Sequence, residues 1–101
     1  MYKRQRYQDI LDEILRTVIA RGRGIELNTG GFHYGLGEPN PCRAVIRRYR
    51  ELGGEIITIG ADAHGPEKIA YDFDKAAAIL ADCGFKYYTV FQNRKPEFVK
   101  L

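Results

Sequence analysis

A chain of 101 residues is at most one domain, and its 45% apolar content, with seven tyrosines and five phenylalanines, excludes a disordered chain. No apolar run approaches the roughly 20 residues that span a bilayer, and no signal-peptide pattern opens the sequence. The formal charge of +3 is too small, and too dependent on the first few residues, to argue for nucleic acid as a partner.

The opening Met1-Tyr2-Lys3-Arg4-Gln5 back-translates to ATG-TAT-AAG-AGA-CAG, the tail of a transposase end sequence used in sequencing libraries. We expect residues 1–5 to be adapter-derived, with the gene cut upstream of Arg6 and residues 6–101 native. Without Lys3 and Arg4, the basic residues number 14 against 13 acidic.

From Arg6 to Arg21 the apolar residues Tyr7, Ile10, Leu11, Ile14, Leu15, Val18 and Ile19 recur at three- and four-residue steps, which predicts a helix with its charges opposite. Arg21-Gly22-Arg23-Gly24 ends it, and Gly24 to Asn28 reads as a short strand. A loop rich in glycine and proline, Thr29 to Pro41, leads to a second helix, for which Asn40 is the expected N-cap and Pro41 the first helical residue. Val45, Ile46, Tyr49 and Leu52 form its inner stripe; Gly53-Gly54 stops it. On the same helix Arg43, Arg47 and Arg50 share one side, expected to be a solvated face rather than a phosphate-tracking stripe.

Glu55 to Ala61 alternates too little to have a wet face and predicts a parallel strand covered on both sides. A third helix is expected over 72–83, with Phe73, Ala76, Ala77, Leu80 and Cys83 inward and Gly84 as terminator. Lys86 to Gln92 is a further strand, and the tail from Asn93 holds a short extended piece. Cys42 and Cys83, far apart and without a CxxC motif, are expected to be buried reduced thiols, as in a cytoplasmic protein. Helix and strand alternate three times, an α/β order that implies right-handed βαβ units with parallel strands. A full (β/α) barrel needs about 250 residues. This length supplies a C-terminal portion of one.

Three polar clusters carry the chemistry. Asp62-x-His64 ends the second strand, and residues two apart on a strand face the same side. The C-terminal ends of parallel strands are where α/β folds place their sites. Carboxylate and imidazole suit Zn²⁺, Mn²⁺ or Fe²⁺, although a bare DxH equally describes a hydrogen-bonded structural pair. Glu26-x-Asn28 ends the first strand in the same pattern; it can support a ligand, touch substrate or cap the following loop. In that loop Gly30, Gly31, Gly35 and Gly37 allow close backbone approach, and His33 and Tyr34 could contact a phosphate or an aromatic substrate. An ordinary surface connection is the competing reading. The sequence has no serine nucleophile elbow and no HExxH.

Taken together, the stretches IELNTGGF, GEPNP, RELGGEIITIGADAH with PEKIA, and CGFKYYTVFQNRKPEFVKL resemble, in order and spacing from about residue 24 onward, the C-terminal portion of the polymerase-and-histidinol-phosphatase (PHP) family. The resemblance is strongest to the histidinol-phosphatases of histidine biosynthesis. It implies a distorted (β/α)7 barrel with a trinuclear centre of divalent metals (Zn, Mn or Fe), of which Asp62 and His64 are ligands. The other ligands, including an N-terminal His-x-His pair, would lie upstream. The implied reaction is metal-assisted hydrolysis of L-histidinol phosphate, a small-molecule phosphate ester; beside it, the polar clusters offer Asn28, His33 and Tyr34 as candidates for substrate contact and Glu26 as a support for the ligands. Ala61, His33 and Gly65 depart from the family pattern, at a signature Ser, a phosphate-contacting Arg, and a Lys, Arg or Ser. Residues 6–101 alone are expected to be inactive. The alternatives are another PHP-family phosphoesterase and a non-catalytic α/β binding module.

Overall fold

The computed structural model describes the backbone of residues 2–30, 38–60 and 66–101, and the side chains of 5–30, 38–60 and 72–101. In chain order the elements are α1 (Tyr2–Ala20), β1 (Ile25–Asn28), α2 (Arg43–Glu51), β2 (Ile57–Gly60), α3 (Pro66–Asp82), β3 (Tyr87–Gln92) and β4 (Lys95–Lys100). The alternation expected from the sequence is present. α3 begins six residues earlier than its periodicity indicated, because Pro66 is well suited to a first helical turn.

The described helices α1, α2 and α3 end in the same way. Gly22, Gly53 and Gly84 adopt φ of 66°, 103° and 97°, a conformation that glycine enters without a Cβ penalty. The next residue's N–H reaches back five positions in each case: Arg23 to Val18 O at 3.0 Å, Gly54 to Tyr49 O at 2.9 Å, and Phe85 to Leu80 O at 2.9 Å. These bonds satisfy carbonyls the helix leaves unpaired and turn the chain toward the following strand.

β1 and β2 pair in parallel, with Ile25 opposite Ile57 and Leu27 opposite Ile59. Those residues form one face of the two-stranded sheet, and Leu27 and Ile57 are wholly buried. They pack with Leu15 of α1, Ile46 and Tyr49 of α2, and Ala76, Ile79 and Leu80 of α3. Tyr49 satisfies its hydroxyl by donating to Ile56 O at 2.8 Å. The other face carries Glu26, Asn28, Thr58 and Gly60. The reading of β2 as covered on both sides holds only in part: Thr58 and Gly60 are half-buried, and this face is polar and small.

β3 also differs from expectation. Instead of extending a parallel ladder, it pairs antiparallel with β4, from Tyr87 opposite Lys100 to Gln92 opposite Lys95. The tail is thus a full strand. Asn93 and Arg94 make the connection at φ 51° and 65°, the two-residue turn whose twist matches antiparallel strands. The hairpin touches β2 through a side chain: Thr89 is buried, and its hydroxyl accepts the Ile57 N–H at 3.2 Å.

The α1 stripe reaches the core only in part. Leu15 is buried and Leu11, Val18 and Ile19 pack against it, whereas Tyr7, Ile10 and Ile14 are 51–66% exposed. Asp12 sits among the packed residues because Arg48 of α2 grips both its oxygens, at 2.8 and 2.7 Å. The α2 arginines are less solvated than expected. Arg43 pairs with Glu38 at 3.1 Å, and Arg50 donates to Gly54 O and lies 5.7 Å from the Phe85 ring centre. Phe73 is half-exposed and meets Tyr88 edge-to-face, so it is not an inward core residue. Cys83 is buried and free as expected, but Cys42 is exposed, because it precedes α2 outside the stripe. Among the described residues no helix is long and apolar enough to cross a membrane.

Candidate metal and substrate site

Four residues named from the sequence, His33, Tyr34, Asp62 and His64, lie outside the described residues, as do Ala61 and Gly65. What the structure describes is the platform from which they follow: the C-terminal ends of β1 and β2, side by side and in register, and helix α3 beginning at Pro66.

On β1, Glu26 is exposed and projects from the polar face beside Gly60. The absence of a side chain at Gly60 makes room for it. A methyl group there would meet the Glu26 carboxylate and lie 2.8 Å from its Cδ. Asn28 Nδ2 donates to Glu26 Oε1 at 3.4 Å, which orients the carboxylate from the same side. Glu26 thereby presents a carboxylate against the last residue of β2, two positions before Asp62. It also borders a groove of about 590 Å³ that lies toward the N-terminal ends of β1 and β2, with Arg21, Arg23, Thr58, Phe91 and Arg94.

Asn28 does two jobs, and one of them answers an alternative left open by the sequence. Its Oδ1 accepts the Gly30 N–H at 2.7 Å, so the side chain caps the start of the glycine-rich loop. Its main chain exchanges two bonds of 2.9 Å with Asn40, on the edge of β1 away from β2. Asn40 therefore closes the far end of that loop onto β1 and is not the α2 N-cap. The cap residue is Cys42, whose side chain makes no capping bond. Glu38 takes over this role: its carboxylate accepts the Arg43 N–H at 3.2 Å, where the helix N-terminus favours negative charge. The Asn40-Pro41 peptide is cis.

Two residues missed in the sequence complete the platform. Thr29 is wholly buried, and Asp72 of α3 is 2% exposed. The Thr29 N–H donates to Gly60 O at 3.0 Å, and its hydroxyl lies 3.4 Å from both Gly60 O and Asp72 Oδ2. A signal was available. Position 72 lies four residues before Ala76, on the stripe continued by Ile79, Leu80 and Cys83, so a carboxylate there is out of pattern.

Among the described residues no three of His, Cys, Asp and Glu come together as a metal-holding group. Glu26 presents a carboxylate on the polar face, and the residue types at 62 and 64, a carboxylate and an imidazole, are ones that divalent cations take as ligands.

The α/β arrangement is that of a solved structure. A histidinol phosphate phosphatase from Lactococcus lactis, complexed with zinc, L-histidinol and phosphate, superposes with a TM-score of 0.70 over 90% of this chain and 34% of its own, at 24% identity. At that identity the likeness defines the fold. The sequence relatives are histidinol-phosphatases. A Thermotoga maritima protein described as a probable histidinol-phosphatase is 32% identical over 93% of this chain, and one from Clostridium acetobutylicum is 34% identical over 79%. The Lactococcus lactis histidinol-phosphatase is 30% identical over 87%. The chain spans 40%, 31% and 32% of these relatives' lengths, respectively. No protein-family model matches it.

Proposed function

We propose that residues 6–101 are the C-terminal portion of a metal-dependent phosphatase that hydrolyses L-histidinol phosphate to L-histidinol and phosphate. The observation that carries this reading is the match to histidinol-phosphatases at 30–34% identity along most of the chain. Parallel β1 and β2, backed by helices, fit a segment of a (β/α)7 barrel. The polar face is the side on which further strands would close.

In this reading Asp62 and His64 hold divalent metal, with zinc first among the candidates and a trinuclear centre in the complete protein. When bound, the cations stabilise charge on the phosphoryl oxygens and activate water, which replaces a covalent nucleophile. This chain's own residues do the positioning. Glu26 adds a carboxylate oriented by Asn28, and Asn28 holds the start of the loop that carries His33 and Tyr34, the candidates for contact with the phosphate ester. His33 offers fewer donors than a guanidinium, so phosphate grip there is weaker than an arginine would give.

The test is recovery of the full-length gene and assay of its product against a panel of phosphate monoesters, with and without chelator. Preferred, metal-dependent release of phosphate from histidinol phosphate is expected. Equal turnover of all the esters would defeat the substrate assignment, and turnover unaffected by chelation would defeat the metal.

A further inference from the structure

The contact between α3 and the strands is apolar along Ala76, Ile79, Leu80 and Cys83, except at Asp72. Burying a carboxylate is costly unless it is well partnered, and an apolar pair of similar size would pack this position at less cost. Asp72 is nevertheless placed against Thr29, and Thr29 against Gly60.

These three residues occupy particular places in the chain. Thr29 directly follows β1, and Gly60 is the last residue of β2. Asp72 lies in the second turn of α3, which follows the segment bearing Asp62 and His64. One threonine therefore ties three elements together at the end of the sheet where the candidate ligands emerge. Its N–H fixes β1 to β2, and its hydroxyl lies between the β2 terminus and the α3 carboxylate. The hydroxyl proton has two acceptors within reach, Gly60 O and Asp72 Oδ2, each 3.4 Å away.

We propose that Thr29 and Asp72 form a buried brace that sets the spacing between the end of β2 and the start of α3, and so presents Asp62 and His64 to metal. Both are positioning residues and neither touches the metal. The proposal rests on the metal-site reading above and adds to it a determinant of affinity that lies outside the ligands. Outer partners that orient ligands typically change metal affinity by 10- to 100-fold when removed.

The experiment uses the full-length protein carrying this segment, loaded with cobalt(II) as a spectroscopic substitute for zinc. The variants are Thr29→Val, which removes the hydroxyl and keeps the shape, Thr29→Ser, which restores it, and Asp72→Asn. Thr29→Val and Asp72→Asn are expected to weaken cobalt binding about 10-fold or more and to shift the visible ligand-field bands. Thr29→Ser should keep the wild-type bands and stay within about threefold. The Thr29→Val/Asp72→Asn double variant should lose little more than either single change, because both cut the same link. Wild-type affinity and bands in Thr29→Val overturn the proposal, and so do losses that simply multiply in the double variant. If Asp72→Asn does not fold, Thr29→Val against Thr29→Ser decides alone. Cobalt binding without cleavage of histidinol phosphate would remove the substrate assignment and leave the brace to be judged on its spectra. A wild type that binds no cobalt overturns both.

Discussion

Replacement of Gly60 by alanine should separate stability from site geometry. The Gly60 backbone is outside the positive-φ set, so alanine can adopt it without strain. Such a change commonly adds about 0.4–1 kcal/mol by restricting the unfolded chain. Against that gain, the new methyl lies on Glu26, 2.8 Å from Cδ and 3.5 Å from Cγ. The neighbour is the end of a flexible, exposed side chain, which can rotate away at a cost of about 0.5–1.5 kcal/mol for a poorer rotamer. The 3.4 Å bond from Asn28 breaks as it does so, and an exposed bond of that length adds little. The net effect on folding is therefore within about 1 kcal/mol of zero. Urea denaturation of Gly60→Ala, Glu26→Ala and the double variant measures this. With Glu26 truncated, Gly60→Ala should show its full gain, a coupling of about 0.5–1.5 kcal/mol between the two positions. In the full-length protein, the metal-site reading proposed above expects displacement of the Glu26 carboxylate to lower metal affinity about 10-fold despite unchanged stability. A loss above about 2 kcal/mol in both backgrounds would refute the reasoning, since the obstacle would then be something other than Glu26.

Two further outcomes follow from the same structure, and a third from the proposed metal site. Ile57→Ala empties a wholly buried position between the sheet and the helices and should cost about 2–5 kcal/mol, read from the denaturation midpoint at constant m-value. Hydrogen bonds from Arg48 hold the Asp12 carboxyl below its ordinary value. The stability this pair contributes is present above the unfolded-state pKa of about 3.9 and is lost as pH falls through the lower folded-state value. Asp12→Asn should therefore flatten the fall in stability below about pH 4, and denaturation midpoints at pH 3 to 7 would check this. In the full-length protein Asp62→Ala and His64→Ala should each lower bound metal and phosphatase activity together, measured by elemental analysis beside turnover; unchanged metal stoichiometry in both variants would remove the ligand assignment.

Much of this protein is legible in its sequence because the signals are local. Helix periodicity and terminal glycines set where α1, α2 and α3 end, since a single residue able to take positive φ decides each terminus. The separation of Ile25 and Leu27 from Glu26 and Asn28 follows from the two-residue period of a strand, which by itself puts the polar pair on one face. The likeness to histidinol-phosphatases is likewise carried by collinear motifs.

Tertiary structure decided what depends on residues far apart in the chain. The sequence has no local mark that distinguishes the buried Asp12 from a solvated charge, because its partner is Arg48, 36 positions away. Asp72 is marked only as a carboxylate out of place on an apolar stripe, and its partner Thr29, 43 positions away, is not marked at all; nor is Glu26, whose orientation depends on an empty position across the ladder at Gly60. The antiparallel β3–β4 hairpin was hidden for a related reason. Its turn uses Asn93 and Arg94 in place of glycine, and β4 is exposed along its whole length, so neither turn chemistry nor burial pattern announced it. Local backbone preferences can be read along a chain, but the partner that stabilises a buried charge or a polar strand end is chosen only when the elements pack.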